Sequence, residues 1–361
     1  MIGSENRLAH DLDDVLSRTE SLWGDLRGGR ILITGATGFF GCWLLESFAW
    51  ANRKLNLGAK AVALSRHPGT LQQKAPHLVN DASIVWHAAD VRDHKFPAAP
   101  FSHVIHAATE ASATLNQEMP MVMFDTIVEG TRQTLRFAID SSASRFLFVS
   151  SGAVYGTQPA DLAHVTESFA GGPDPLAPES AYAEGKRAAE LLCCLAATPR
   201  FETTIARCFA FVGPYMQLDV HFAIGNFIRD ALCGRPVQVK GDGSPFRSYL
   251  YASDLAVWLW TILFKGESRR AYNVGSENAV NIATLANQVA AAVSDEVSVR
   301  IASAAKSGTK PHRYVPSTVR AREELGLEAR VPLTEGIRRT YNWFAQSQSS
   351  RDQLQARGAH A

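Results

Sequence analysis

No apolar run in this chain approaches the ~20 residues that a membrane-spanning helix requires, so no membrane is expected as a partner. Neither sign of charge is in excess. The 36 lysines and arginines against 35 aspartates and glutamates leave a formal net charge of +1. That balance gives no electrostatic reason to expect nucleic acid or an anionic surface. Cysteine is sparse and odd in number. Cys42, Cys193, Cys194, Cys208 and Cys233 lie among apolar residues, without metal-ligand spacing or a disulfide framework. They read as reduced thiols of a cytoplasmic protein, and no metal is expected. The polar start, Ser4-Glu5-Asn6-Arg7, lacks a secretory pattern. What remains is an ordinary composition, 46% hydrophobic and 20% charged over 361 residues, sufficient for a sizeable core and two lobes.

The first chemical signal is Arg30-Ile-Leu-Ile-Thr-Gly-Ala-Thr-Gly-Phe-Phe-Gly41, which reads as a buried strand, a glycine-rich turn and the start of a helix. In such a unit Gly35 permits the tight turn, Gly38 admits a pyrophosphate to the backbone, and Gly41 allows close helix–strand packing. Phosphates then face the positive helix N-terminus, which places Thr37, Phe39 and Phe40 at a dinucleotide as well. The second strand, Ala61–Leu64, ends in Ser65 and Arg66 rather than in an acid, and an arginine there suits the 2′-phosphate of NADP. Further strand signals run through Ser83–His87, Val104–Ala108 and Arg145–Ser151. Asp90 and Val91 follow the first of these, with Asp90 a candidate acceptor from adenine. Ala107 and Ala108 are small enough to let a cofactor lie against backbone. His106 reads as structural. Strands alternating with helical segments imply an α/β fold with a doubly wound parallel sheet, whose ligands collect at strand C-terminal ends. Thr109, Ser150 and Ser151 sit at such ends.

Ser180-Ala-Tyr-Ala-Glu-Gly-Lys186 adds Tyr182 and Lys186, four residues apart on one helix face. An adjacent ammonium can draw a phenol down from about 10 toward working pH, giving an acid/base group.

Together these motifs, with Ser150-Ser-Gly-Ala-Val-Tyr-Gly156, Arg247-Ser-Tyr-Leu-Tyr-Ala-Ser-Asp-Leu255 and Tyr272-Asn-Val-Gly275, resemble the extended short-chain dehydrogenase/reductases. Within them the chain is similar to the NAD-dependent nucleotide-sugar epimerases, dehydratases and decarboxylases, over roughly residues 30 to 344. The resemblance implies a Rossmann domain and tightly held NAD or NADP. It implies transient oxidation of a nucleotide-diphosphate sugar, usually at C4. Tyr182 would take the hydroxyl proton, Lys186 would lower the tyrosine pKa and hold the nicotinamide ribose, and Ser151 would hold the reacting oxygen. Glu110, Ser112, Gly152, Asn226, Arg247 and Arg313 would face the substrate, the arginines pairing with its diphosphate. A homodimer through the Tyr182 helix is implied too.

The departures narrow the reaction. Dehydratases of this family carry an Asp-Glu pair just after the hydroxyl residue, and decarboxylases a glutamate. This chain has Gly152 and Ala153, leaving Glu110 the candidate for a relocated carboxylate. A 4-epimerase needs no such acid, so a 4-epimerase-type enzyme is the leading expectation. The alternatives are a UDP-glucuronate-type decarboxylase, a 4,6-dehydratase or a 4-keto reductase and, from another class, an idle dinucleotide-binding scaffold. Residues 1–29 read as an N-terminal helical extension and 30–207 as the Rossmann domain, to which 244–265 returns. Residues 208–243 and 266–344 read as a smaller α/β substrate-binding lobe, and 345–361 as a frayed polar tail.

Overall fold

The computed structural model describes residues 6–92, 96, 100–109, 113–220, 222–293, 296–304 and 310–358, the last eleven by backbone alone. Its centre is a seven-stranded sheet made of β1 (Arg30–Thr34), β2 (Lys60–Ser65), β3 (Ile84–Ala88), β4 (His103–His106), β5 (Arg145–Ser151), β6 (Glu202–Cys208) and β7 (Arg270–Val274). In space the order is β7-β6-β5-β4-β1-β2-β3, with every neighbouring pair parallel. The order therefore reverses between β1 and β4, and the crevice at their C-terminal ends is where such sheets take ligands.

Alternation along the strands divides the core into two layers. Leu32, Val62, Leu64, Val104, Phe146 and Phe148 face one layer, which holds helices α3 (Pro120–Asp140) and α4 (Ala181–Ala196). Ile31, Ile33, Ala61, Ala63, Ile105, Leu147 and Val149 face the other. There lie α1 (Ala9–Thr19), α2 (Phe39–Lys54) and α6 (Ala252–Lys265), with α5 (Ala223–Leu232) set apart in the smaller lobe. Leu8, Leu12, Val15 and Leu22 are all buried, so the N-terminal segment belongs to this core.

The smaller lobe has its own apolar cluster, in which Ile224, Phe227 and Ile228 of α5 meet Leu285, Ala286 and Val289 of α7 (Ile282–Val293) and Ile337 of α8 (Leu333–Gly358). Short strands complete it. Phe246–Arg247 pairs with both Val280–Asn281 and Arg313–Tyr314, and Val237–Val239 with Val299–Ile301.

Two boundaries differ from expectation. Residues 266–344 do not all lie in the small lobe, because the alternating segment Arg270–Val274 pairs with β6 and becomes the edge of the main sheet. Nor do residues 345–358 form a frayed tail. They continue α8, whose Gln, Arg and Ala residues favour helix until Gly358. Among the described residues no helix is long and apolar enough to cross a membrane, and no group of three or more His, Cys, Asp or Glu could hold a metal ion.

Candidate active site

The glycine turn joins β1 to α2. Gly35 has φ of +69°, and a Cβ there would lie 2.5 Å from the Ala107 carbonyl oxygen, so the β1 and β4 loops touch through it. At Gly41 a Cβ would lie 2.4 Å from the Gly35 carbonyl oxygen, a collision that keeps the helix close to its strand. Gly38 differs. A Cβ there meets only that same oxygen, at 3.3 Å, so the protein itself makes little demand for glycine at this position. The room is on the open side of the turn. No side chain caps α2, and its first turn carries no acid, which leaves a positive helix terminus to an outside anion. A dinucleotide pyrophosphate fits both features. Thr37 and Ser65 join the turn to the end of β2 through a 2.8 Å hydroxyl contact, and the exposed Arg66 comes next in the chain. Phe39 and Phe40 pack on each other and on Phe211. Asp90, expected at adenine, makes a two-pronged pair with Arg92 at 2.9 Å. Those bonds hold its carboxyl below the usual range. Val91 is buried beside Gly130.

Thr34, at the end of β1, accepts the backbone N–H groups of Ala107 and Ala108 at 3.1 and 3.2 Å and meets His106 Nδ1 at 2.8 Å. Burial, then the charge of Lys186, lowers the His106 imidazole to about 3, so it stays neutral and structural, as its apolar strand suggests.

At the end of β5 successive residues diverge. Ser150 donates to Glu190 Oε1 of α4 at 2.6 Å, and Glu190 in turn is gripped by Arg207. Alternation thus turns Ser150 away from the cofactor crevice where it was expected. Ser151 turns the other way. Its Oγ accepts the Ala153 N–H at 3.1 Å and faces the phenols of Tyr182 and Tyr314, each of which it pulls down against the upward push of burial.

Lys186 is buried beneath, donating to the Val149 carbonyl at 2.8 Å and to Thr109 Oγ1 at 3.1 Å. Desolvation lowers its ammonium to about 8. It lies 5.9 Å from the Tyr182 ring centroid. The expected lowering of the tyrosine by this lysine is not what the geometry gives. Burial raises Tyr182 above 10, with the Ser151 hydroxyl opposing, while the ammonium donates to the strand end.

Of the substrate candidates, Glu110 and Ser112 lie outside the described residues. Asn226 Nδ2 donates to the Val220 carbonyl at 2.9 Å and ties the entry to α5. Arg247 donates to the Phe246 carbonyl and holds its guanidinium 6.0 Å from the Tyr314 ring. Arg313 packs over Phe246 at 4.4 Å, on the other side of its strand pair from Tyr314. Tyr314 is the residue that sequence reasoning missed. Its only signal was adjacency to Arg313 in a two-residue strand. A cavity of about 590 Å³ beside α4 is lined by Tyr155, Arg187, Glu190 and Arg207 and excludes Tyr182, Ser151 and Lys186.

The sequence and the fold are similar to those of known proteins. UDP-glucuronic acid decarboxylase 6 of Arabidopsis thaliana is 30% identical over 310 residues, 85% of this chain and 86% of that protein. Among solved structures, UDP-glucose 4-epimerase of Thermotoga maritima with UDP-glucose superposes with a TM-score of 0.75 at 21% identity, over 88% of this chain and 99% of that one. A dTDP-glucose 4,6-dehydratase of Streptomyces venezuelae, solved with NAD bound, gives 0.74 at 24% identity, over 89% and 98%. The family model "NAD dependent epimerase/dehydratase family" matches residues 31–275, which include the glycine turn, Ser151, Tyr182, Lys186 and Arg247. With the sheet order, the anion-ready turn and the clustered hydroxyls already in place, that match leads to one conclusion: the chain belongs to the NAD-dependent epimerase/dehydratase family.

Proposed function

We propose that this enzyme oxidises a nucleotide-diphosphate uronic acid at C4 and releases its carboxylate as carbon dioxide, in the manner of a UDP-glucuronate decarboxylase. The observation that carries the oxidation is the convergence of Tyr182, whose ring lies 5.9 Å from buried Lys186, on the end of β5, where Lys186 holds the Val149 carbonyl at 2.8 Å and Ser151 is the last residue. Tyr182 takes the proton from the C4 hydroxyl while Ser151 holds that oxygen. Lys186 fixes Thr109 and the end of β5, so the two hydroxyls keep their places. The glycine turn, Thr37 and Ser65 would hold the dinucleotide, whose nicotinamide accepts hydride when bound. Arg66 at the end of β2 supports the 2′-phosphate form, NADP.

The fate of the oxidised sugar depends on C5. A ketone at C4 makes a C5 carboxylate a β-keto acid, whose C5–C6 bond breaks without any base, its electrons moving onto the C4 oxygen. Elimination by a 4,6-dehydratase must instead remove a C5 proton, and Gly152 and Ala153 offer nothing to do so. The likeness to decarboxylases over 85% of the chain supports the first fate, ahead of the epimerase expected from Gly152 and Ala153 alone. Epimerisation is the second reading, because those two residues leave rotation and hydride return unhindered by an acid. Intact Ser151, Tyr182 and Lys186 argue against an idle scaffold.

The test incubates purified protein with NAD or NADP and UDP-, dTDP-, GDP- and CDP-sugars, UDP-glucuronate among them, and monitors mass. Loss of carbon dioxide is expected from the uronate. A changed sugar of unchanged mass would replace this reading with the epimerase, and no turnover with cofactor bound would sink both. Tyr182→Phe is expected to slow turnover roughly 100- to 10,000-fold while retaining the dinucleotide, measured by steady-state rates and by the cofactor released on denaturation. The same release identifies NAD or NADP.

A dimer is part of the proposal. Leu191 and Leu195 on α4 and Ile139 on α3 are exposed at 59%, 72% and 49%, an apolar face suited to a second copy.

A further inference from the structure

Gly152 has no positive φ to demand glycine, yet a Cβ there would lie 2.7 Å from the Tyr314 hydroxyl and 2.8 Å from the Phe209 ring. The space a side chain at 152 would take is filled from the other lobe. Tyr314 is held there by its strand and by its ring. Its strand pairs with Phe246–Arg247, register setting Tyr314 opposite Arg247. Its ring packs on Phe209 at 4.7 Å between centroids, which aims its hydroxyl at Gly152, the residue after Ser151. Two phenols, Tyr182 and Tyr314, thus face the Ser151 end of β5. One of them suffices to take the C4 proton, which leaves the other for a different atom.

We propose that Tyr314 is a catalytic residue, the proton donor to C5 of the sugar after carbon dioxide has left. The inference rests on the decarboxylase reading above. When C5–C6 breaks, its electron pair forms an enolate across C5 and C4, with the negative oxygen held by Ser151 and the now protonated Tyr182. C5 then takes the Tyr314 hydroxyl proton. The O–H electron pair stays on the Tyr314 oxygen, which recovers a proton from water. Carbon, oxygen and charge balance without a carboxylic acid at position 152.

The test runs UDP-glucuronate turnover in deuterated water with the wild type, Tyr314→Phe and Phe209→Leu. In the wild type one face of C5 carries deuterium, read by NMR of the pentose product. Tyr314→Phe keeps the ring and its packing. It is expected to retain cofactor reduction on mixing with substrate, to lose about 100-fold in complete turnover, and to release 4-keto sugar or product labelled on both faces. Phe209→Leu loosens the ring but keeps the hydroxyl, and one-face labelling is expected to survive. Carbon dioxide from the wild type, with Tyr314→Phe unchanged in rate and labelling, would overturn the assignment alone. No carbon dioxide from the wild type would overturn the decarboxylase reading and the assignment with it.

Discussion

Glycines at the cofactor turn are indistinguishable as letters but separable by what surrounds them. Gly41→Ala drives a methyl group to 2.4 Å from the Gly35 carbonyl oxygen, against backbone that has no free direction to yield. Gly38→Ala meets that oxygen at 3.3 Å and nothing else within 4 Å. The expected outcome is a lowered melting temperature for Gly41→Ala, and for Gly38→Ala a near-native melt with weakened dinucleotide binding by titration calorimetry. Equal losses of stability would contradict the assignment of Gly38 to the ligand. The same scale shows the limit of the letters. Gly35, Gly41, Tyr182 and Lys186 were legible because turn geometry and helical spacing are written locally. Ser150 and Ser151 looked equivalent until alternation sent one to Glu190 and the other to the phenols. Tyr314 was illegible because its place is set by pairing with a strand far off in sequence.

Among the elements, α1 has no chemistry of its own yet carries several of the strongest polar contacts. Arg18 pairs with Asp254 of α6, whose carboxylate also accepts the backbone N–H groups of Arg330 and Val331 at 2.9 Å. Asp11 pairs with Arg339 of α8 and accepts from Tyr251 at 2.7 Å. Arg18→Ala leaves Asp254, whose side chain is fully buried, with only the two backbone donors and a charge no longer paired. A loss of roughly 3 kcal/mol is expected, read by denaturant unfolding. A change below about 0.5 kcal/mol would show that the backbone donors alone satisfy it. On α2, buried Glu46 accepts from Asn6, Tyr215 and His77. Burial pulls the His77 imidazole down, but the bond to Glu46 and its charge outweigh this and raise it above 6.5. A raised value means the stabilisation is complete below 6.5 and fades as pH rises through the folded value. The melting temperature of the wild type minus that of His77→Gln should therefore shrink from about pH 5.5 to about pH 8.5. A difference constant across that range would exclude the coupling. The helical extension itself was readable from Leu8, Leu12, Val15 and Leu22, since amphipathic spacing needs no partner to be seen. Its ionic ties were not, because both partners lie hundreds of residues away.

For the whole molecule, Leu195→Arg places charge on the exposed face of α4 without disturbing a buried contact. If a second copy covers that face, the variant should elute as a monomer in multi-angle scattering while the wild type is a dimer. A dimeric variant would move the interface elsewhere. The doubly wound sheet was legible from strands alternating with helices, and the lobe from its mixed pattern. The membership of Arg270–Val274 was not, because chain order places it after the lobe while hydrogen bonding returns it to β6. That return bears on biosynthesis. As the chain leaves the ribosome, β1 to β6 are complete well before β7 exists, and β6 waits as a bare sheet edge. Everything from Phe209 to Arg269 must emerge first, including α5 and α6. A nascent chain stalled in that interval would present an open edge able to pair with another such chain. Its escape from aggregation therefore turns on how quickly translation passes Val274.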